Sequence, residues 1–187
     1  MTDQTNYFTT RLTEAEKHKH PGYASTGLTI PIRKYKNDAN GITRAVIDLV
    51  KAHGWQAERI NSMGRQIDRR KTYTDVVGFQ RTIGSIEWIP GTGQKGTADI
   101  HASIPLNGSN GFAVSVKIEI KAGKDRQRTE QKEYQQMIQQ AGGVYIIVRH
   151  IDGFVTWLLE NADMTRATWP EPKQHKPLID PDPQRLI

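Results

Sequence analysis

Hydrophobic positions are gathered into a few periodic segments, separated by polar, Gly-rich or Pro-rich stretches. Ile42, Val46, Leu49 and Val50 recur at the spacing of one helix face, with Asn40 as a candidate cap and His53-Gly54 as the stop. An extended run from Trp55 to about Asn61 predicts a strand. Residues 98–104 and 112–121 alternate apolar and polar side chains with a period of two. They read as two strands joined by the turn-forming Asn107-Gly108-Ser109-Asn110-Gly111. A second helix is expected from Thr129, with Tyr134, Met137, Ile138 and Ala141 on one face and Gly142-Gly143 at its end. The run Val144-Tyr145-Ile146-Ile147-Val148 predicts a buried strand, and residues 154–159 a short strand or the start of a helix.

The remaining segments carry weaker periodicity. Residues 62–97 are Gly-rich and basic, and their β-branched runs at 72–77 and 82–89 predict a hairpin. Residues 1–38 are polar, with Pro21 and Pro31 interrupting any long helix, and read as an N-terminal arm. Five of the nine prolines lie within 170–187, so 166–187 reads as an extended tail. The core order is therefore α-β-β-β-α-β over residues 39–165, with 62–97 as a basic insertion. Antiparallel strands followed by a helical crossover imply an α/β fold with a mixed sheet flanked by helices.

Composition narrows the chemistry. At 187 residues the chain has room for one domain with a real core, although only 36% of residues are hydrophobic. A formal charge of +6 suits either a polyanionic partner such as nucleic acid or general solubility. The absence of cysteine excludes disulfides, thiolate metal sites and a cysteine nucleophile. No segment approaches the roughly 20 apolar residues of a membrane span, and residues 1–20 lack the apolar stretch of a signal peptide. The expectation is a protein without a membrane partner, located in the cytoplasm.

The alternation in residues 113–121 places Val114, Val116, Ile118 and Ile120 on one face. Ser115, Lys117, Glu119 and Lys121 lie opposite, with the Ile120 carbonyl between the last two. In the preceding strand Ile100, Ala102 and Ile104 are the apolar set, and Asp99, His101 and Ser103 the polar one. Pairing with polar faces aligned brings Asp99 and Glu119 together at the end remote from the turn. Two carboxylates and one carbonyl form a hard, incomplete oxygen shell that suits Mg²⁺ retaining several waters, with Mn²⁺ as a substitute. An adjacent lysine could orient water or neutralise charge on a phosphodiester. The competing reading is an ordinary amphipathic hairpin with solvated charges.

Flanking residues add a family likeness. Gly93-x-x-Gly96-Thr97-Ala98-Asp99, then Ile118-Glu119-Ile120-Lys121-Ala122-Gly123-Lys124, then Gln131, resembles the VRR-NUC branch of the PD-(D/E)XK nucleases over about residues 40–150. The resemblance implies a restriction-endonuclease-like core and a metal-dependent DNA endonuclease. Such an enzyme would serve replication, repair, recombination or phage DNA processing, in a bacterial or phage-infected cell. It implies Asp99 and Glu119 as metal ligands, Lys121 as the catalytic lysine and Gln131 as a supporting residue. Many members carry a glutamate in the first helix, where this chain has Asn40. Asn40 is either an accessory residue or a helix cap, and Asp38 or Glu58 could replace the missing acid.

Lys124, Arg126 and Arg128 follow the lysine closely and are candidate DNA contacts. Arg69, Arg70, Lys71 and Lys95 in the insertion are further candidates, against a solvated loop. His101 and the four tryptophans read as packing or edge residues. Two alternatives stay open: a junction-resolving nuclease, which would need a homodimer, and a catalytically silent nucleic-acid-binding module.

Overall fold

The computed structural model describes residues 2–27, 30–60, 64–91 and 93–169. In chain order the first elements are α1 (Asp3–Lys19), α2 (Pro21–Ala24), α3 (Ala39–Ala52) and β1 (Gln56–Arg59). Four short strands follow: β2 (Arg65–Asp68), β3 (Lys71–Thr74), β4 (Gln80–Ile83) and β5 (Ile86–Ile89). Then come β6 (Ile100–Pro105), β7 (Ala113–Ile120), α4 (Thr129–Gln140), β8 (Val144–Val148) and α5 (Ile151–Asn161), closed by a 3₁₀ turn (Met164–Arg166).

The core sheet has the order β1-β6-β7-β8. β6 lies antiparallel to β1 and β7, while β8 runs parallel to β7. Parallel neighbours need a crossover, and α4 supplies it. The chain is thus α/β, with a mixed sheet flanked by helices.

Period-two alternation divides the sheet as the sequence implies. Ile100, Ala102, Ile104, Val116 and Ile118 are fully buried on one face, beneath Ile42, Val46, Leu49 and Val50 of α3 and Phe154, Val155 and Leu158 of α5. Each large aliphatic side chain buried this way contributes about 1.5–3 kcal/mol of transfer free energy. The opposite face carries a smaller cluster of Ala98, Tyr134 of α4 and Tyr145 of β8, with Ile138 packed against it. That second, thinner layer covers the polar end of β7.

Several expectations need correction. Residues 1–38 are not merely a polar arm: α1 packs on the core through Phe8, Leu12 and Ala15. Those residues recur at i, i+4 and i+7, the spacing of a helix stripe, amid otherwise polar positions. Thr2 caps the helix by accepting from the Thr5 N–H at 3.2 Å. Asp38, not Asn40, caps α3, with its carboxylate accepting from Gly41 N–H at 2.7 Å. On α4, Met137 and Ala141 are exposed, leaving Tyr134 as the buried anchor. β8 is an edge strand of the core sheet rather than a fully buried one, and its Ile147 is 39% exposed.

Residues 154–159 are helical, inside α5. The start of the expected tail is packed rather than free. Trp169 stacks on His18, and the Arg11 guanidinium carbon lies 3.7 Å from its ring centroid. The tail beyond Trp169 and the expected strand end at Asn61 lie outside the described residues. The hairpin in 62–97 is present, as β2 paired with β5 and β3 with β4.

Candidate functional site

Asp99 stands just before β6, at the sheet end remote from the Asn/Gly turn. Two bonds fix it there. Its carbonyl accepts from Ile60 N–H at 2.8 Å, and its Oδ2 accepts from Ile120 N–H at 2.9 Å. Amide and carbonyl of one strand residue project to the same side, so the Ile120 carbonyl also faces the β6 side.

The approach to Asp99 is set by Gly96, whose φ is +78°. A Cβ there would sit 2.1 Å from the Glu130 carbonyl oxygen, so only glycine lets this loop lie against the first turn of α4. That contact holds Asp99 and Gln131 on neighbouring supports.

Glu119 and Lys121 follow on β7 and just beyond it. Only 1% of Glu119 and 4% of Lys121 is exposed, so neither is the solvated charge of an ordinary amphipathic hairpin. Lys121 Nζ lies 3.0 Å from Glu119 Oε1, 2.9 Å from Gln131 Oε1 and 3.2 Å from Asp125 Oδ2. Gln131 completes the ring: its Nε2 donates to Glu119 Oε1, while its Oε1 also accepts from Arg128 N–H at 3.0 Å. Tyr145 OH donates to Glu119 Oε2 at 3.3 Å.

Because Gln131 Oε1 accepts from an ammonium and a backbone amide, its Nε2 must be the group facing Glu119. The amide orientation is dictated by its partners.

Burial raises the Glu119 carboxyl above the ordinary range, against the bond from Lys121, and the nearby Asp99 charge raises it further. For Lys121, burial acts downward but is outweighed by the bond and charge of Glu119, then by Asp125, and the ammonium is held upward. Burial, then the Glu119 charge, pushes the Tyr145 phenol up. Glu119 is thus buried against its counter-charge Lys121, with the Asp99 carboxylate nearby.

A divalent cation fits this donor set. Asp99 Oδ1 has no hydrogen-bond partner among the described residues, and Glu119 Oε2 has only the long Tyr145 contact. With the Ile120 carbonyl these make three hard oxygen donors at one sheet end, and water would fill the rest of an octahedral shell. Among the described residues no third acidic side chain or histidine joins them.

Other expected residues are more scattered. Asn40 Oδ1 accepts from Arg59 Nη1 at 3.1 Å, so its amide is occupied at the surface. Asp38 is engaged as the α3 cap, and Glu58 faces His101 across the sheet at 3.7 Å. Among the described residues neither forms a group of metal-ligating side chains with Asp99 and Glu119. His101 also contacts Ser115 Oγ at 3.2 Å and belongs to that surface row.

Lys124, Arg126 and Arg128 are exposed in the β7–α4 turn beside Lys121, without a carboxylate partner among the described residues. Arg69, Arg70, Lys71 and Lys95 are exposed too, but Arg69 pairs with Glu87 at 2.6 Å and Arg70 with Asp68 at 2.7 Å. Of the tryptophans, Trp55 is buried, whereas Trp88 is 56% exposed on the hairpin.

Two cluster members escaped sequence reasoning. Asp125 lies four residues beyond Lys121 in an irregular turn, where no periodicity marks it. Tyr145 sits in an apolar strand, and only its pairing opposite Lys117 reveals that it shares the Glu119 face. No helix among the described residues is long and apolar enough to cross a membrane. No family model, no curated protein and no solved structure matches this chain.

Proposed function

We propose that this chain is a metal-dependent nuclease with a restriction-endonuclease-like core, similar to the VRR-NUC branch of PD-(D/E)XK enzymes, which hydrolyses phosphodiester bonds in DNA. The observation that carries the reading is the hydrogen-bonded cluster of Glu119, Lys121 and Gln131 at a sheet end, with Asp99 held beside it by the Ile120 amide. Burial is the main cause that raises Glu119, with the Asp99 charge adding to it, and buried carboxylates shifted in this way gather at functional sites.

Asp99, Glu119 and the Ile120 carbonyl would hold Mg²⁺ or Mn²⁺. When bound, such an ion lowers the pKa of water and offsets charge on the phosphodiester. Lys121 keeps its proton through Glu119 and Asp125, so it serves as a fixed cation toward the phosphate rather than as a base. Gln131 holds the Lys121 and Glu119 heads in register, which limits their motion during the reaction. Lys124, Arg126 and Arg128 lie on the adjacent turn, where the flanking phosphates of a bound strand would pass.

The test is incubation of the purified chain with linear, supercoiled, branched and single-stranded DNA in Mg²⁺, Mn²⁺, Ca²⁺ or EDTA. Cleavage is expected with Mg²⁺ or Mn²⁺ and none with EDTA. Asp99→Asn, Glu119→Gln and Lys121→Met should each lower the rate by about 10²-fold or more. Undiminished cleavage in EDTA, or by any of these variants, would refute the assignment.

A further inference from the structure

The segment before Asp99 holds a pattern that its sequence does not display. Pairing runs from Arg65↔Ile89 to Asp68↔Ile86, and resumes at Lys71↔Ile83 through Thr74↔Gln80. Between the two ladders both strands advance by three residues, so the register is unchanged. The two short sheets are one continuous antiparallel ribbon, interrupted at the Arg70/Gly84 level, where Gly84 has φ +93°. Arg69 N–H still donates to Ser85 C=O at 3.1 Å across that gap.

A constant register assigns every side chain to a face, because cross-strand partners share one. One face carries Arg65, Arg69, Lys71 and Arg81, with Glu87 and Asp75 as its acids. The other carries Arg70 and Asp68, which pair with each other at 2.7 Å. The side-chain contacts agree with this parity: Arg69 reaches Glu87, and Arg70 reaches Asp68. Four cations against two carboxylates on the first face, and one against one on the second, leave a net positive charge on the first face alone and make the ribbon electrostatically two-sided. Arg81 is steadied by Asp75, whose carboxylate also accepts from the Val77 and Phe79 amides in the tip turn.

We infer that the cationic face of this ribbon grips duplex nucleic acid, and that double-stranded substrate is therefore what reaches the Asp99 site. The proposal names the substrate class of the site proposed above and rests on that reading. Ten residues per strand span about 34 Å, close to one turn of B-form duplex, and a two-stranded ribbon is of a size that the major groove admits. Arg65 and Lys71 have no carboxylate partner among the described residues, and the Arg69 and Arg81 bonds are made through Nε. Guanidinium groups spaced along a ribbon suit successive phosphates.

A second copy of this chain is a poorer occupant. The exposed apolar residues are divided among the cationic face (Tyr73, Ile83), the opposite face (Ile86, Trp88) and the tip (Val76, Val77, Phe79), so neither face is apolar. Two cationic faces would also repel each other.

The test is fluorescence anisotropy with the full chain in EDTA, on a labelled duplex of about two helical turns and on the matching single strand. Wild type is expected to favour the duplex by about tenfold or more. Replacing Arg65, Arg69, Lys71 and Arg81 by Gln should weaken duplex binding at least tenfold and lower the salt slope by about three to four units, roughly one per lost phosphate contact. Arg70, expected from sequence among the DNA contacts, is turned to the other face and tied to Asp68, so Arg70→Gln should stay within about twofold of wild type. Arg65→Glu/Lys71→Glu breaks no carboxylate pair seen here and should reproduce the loss if the fourfold variant misfolds.

Equal binding of duplex and single strand, unchanged affinity in both cationic-face variants, or an equal loss in Arg70→Gln would overturn the inference. So would a change in sedimenting mass in place of a change in affinity. The measurement is independent of the metal site. Cleavage with unaltered binding in the variants sinks this inference alone. Duplex binding through this face without metal-dependent cleavage supports it and sinks the nuclease reading.

Discussion

Gln131→Ala is the sharpest probe of the charge cluster, because one neutral side chain joins both buried charges. The substitution removes the donor to Glu119 Oε1, one of three acceptors around Lys121 Nζ, and the acceptor for the Arg128 N–H. Both partners are at least 96% buried, so water reaches them only through the space that the amide vacates. Hydrogen bonds to charged groups are worth about 1.5–3 kcal/mol each and the neutral Arg128 bond about 0.5–1.5, which sets an upper bound of about 7.5 kcal/mol.

Water entering the gap restores part of that, and alanine's better helix propensity returns a few tenths. A net loss of about 2–4 kcal/mol is expected, or roughly 5–15 °C in Tm for a chain of this size. Gln135→Ala serves as the control in the same helix: Gln135 bonds to Gln127, not to a charge, and should cost under about 1 kcal/mol. Urea unfolding followed by tryptophan fluorescence, without added metal, measures both. If Gln131→Ala lies within 1 kcal/mol of wild type, or no lower than Gln135→Ala, the cluster is not held by this amide.

Two further perturbations test the scaffold. His53 is buried between a Tyr7 hydroxyl on Nε2 and the Leu49 carbonyl on Nδ1, both at 2.8 Å, and desolvation lowers its pKa from 6.5 to about 4. The unfolded chain then binds the extra proton between those values, so stability is full above pH 6.5 and falls by about 3 kcal/mol as pH drops toward 4. His53→Gln should flatten that slope in urea midpoints measured across pH 4–7, and an unchanged slope would dismiss the buried neutral imidazole. Leu12→Ala should cost about 2–3 kcal/mol by undocking α1, whereas exposed Thr10→Ala should stay within about 0.5, both read from thermal melts. Equal melts for the two variants would mean that α1 contributes nothing to the core.

What the amino-acid order determines by itself is local and periodic. The 3.6-residue stripe of α3 and the two-residue alternation of β6 and β7 are written in single segments, so the core elements and the Asp99, Glu119 and Lys121 faces follow from spacing alone. The stripe of Phe8, Leu12 and Ala15 was equally local, but its polar surroundings hid it, because burial depends on α3 and α5 being there to cover it.

Tertiary structure decided everything that depends on two distant segments meeting. Gln131 reaches Glu119 only because Gly96 lets the loop before Asp99 lie on the first turn of α4. Burial of Glu119 and Lys121 comes from α4 and β8 closing over a face that alternation would leave polar and wet. Asp38 rather than Asn40 caps α3 because its extended backbone puts the carboxylate beside the Gly41 amide. The two-sided charge of the ribbon arises from register, which fixes which cations share a face. Register is a property of the pair of strands, absent from either one.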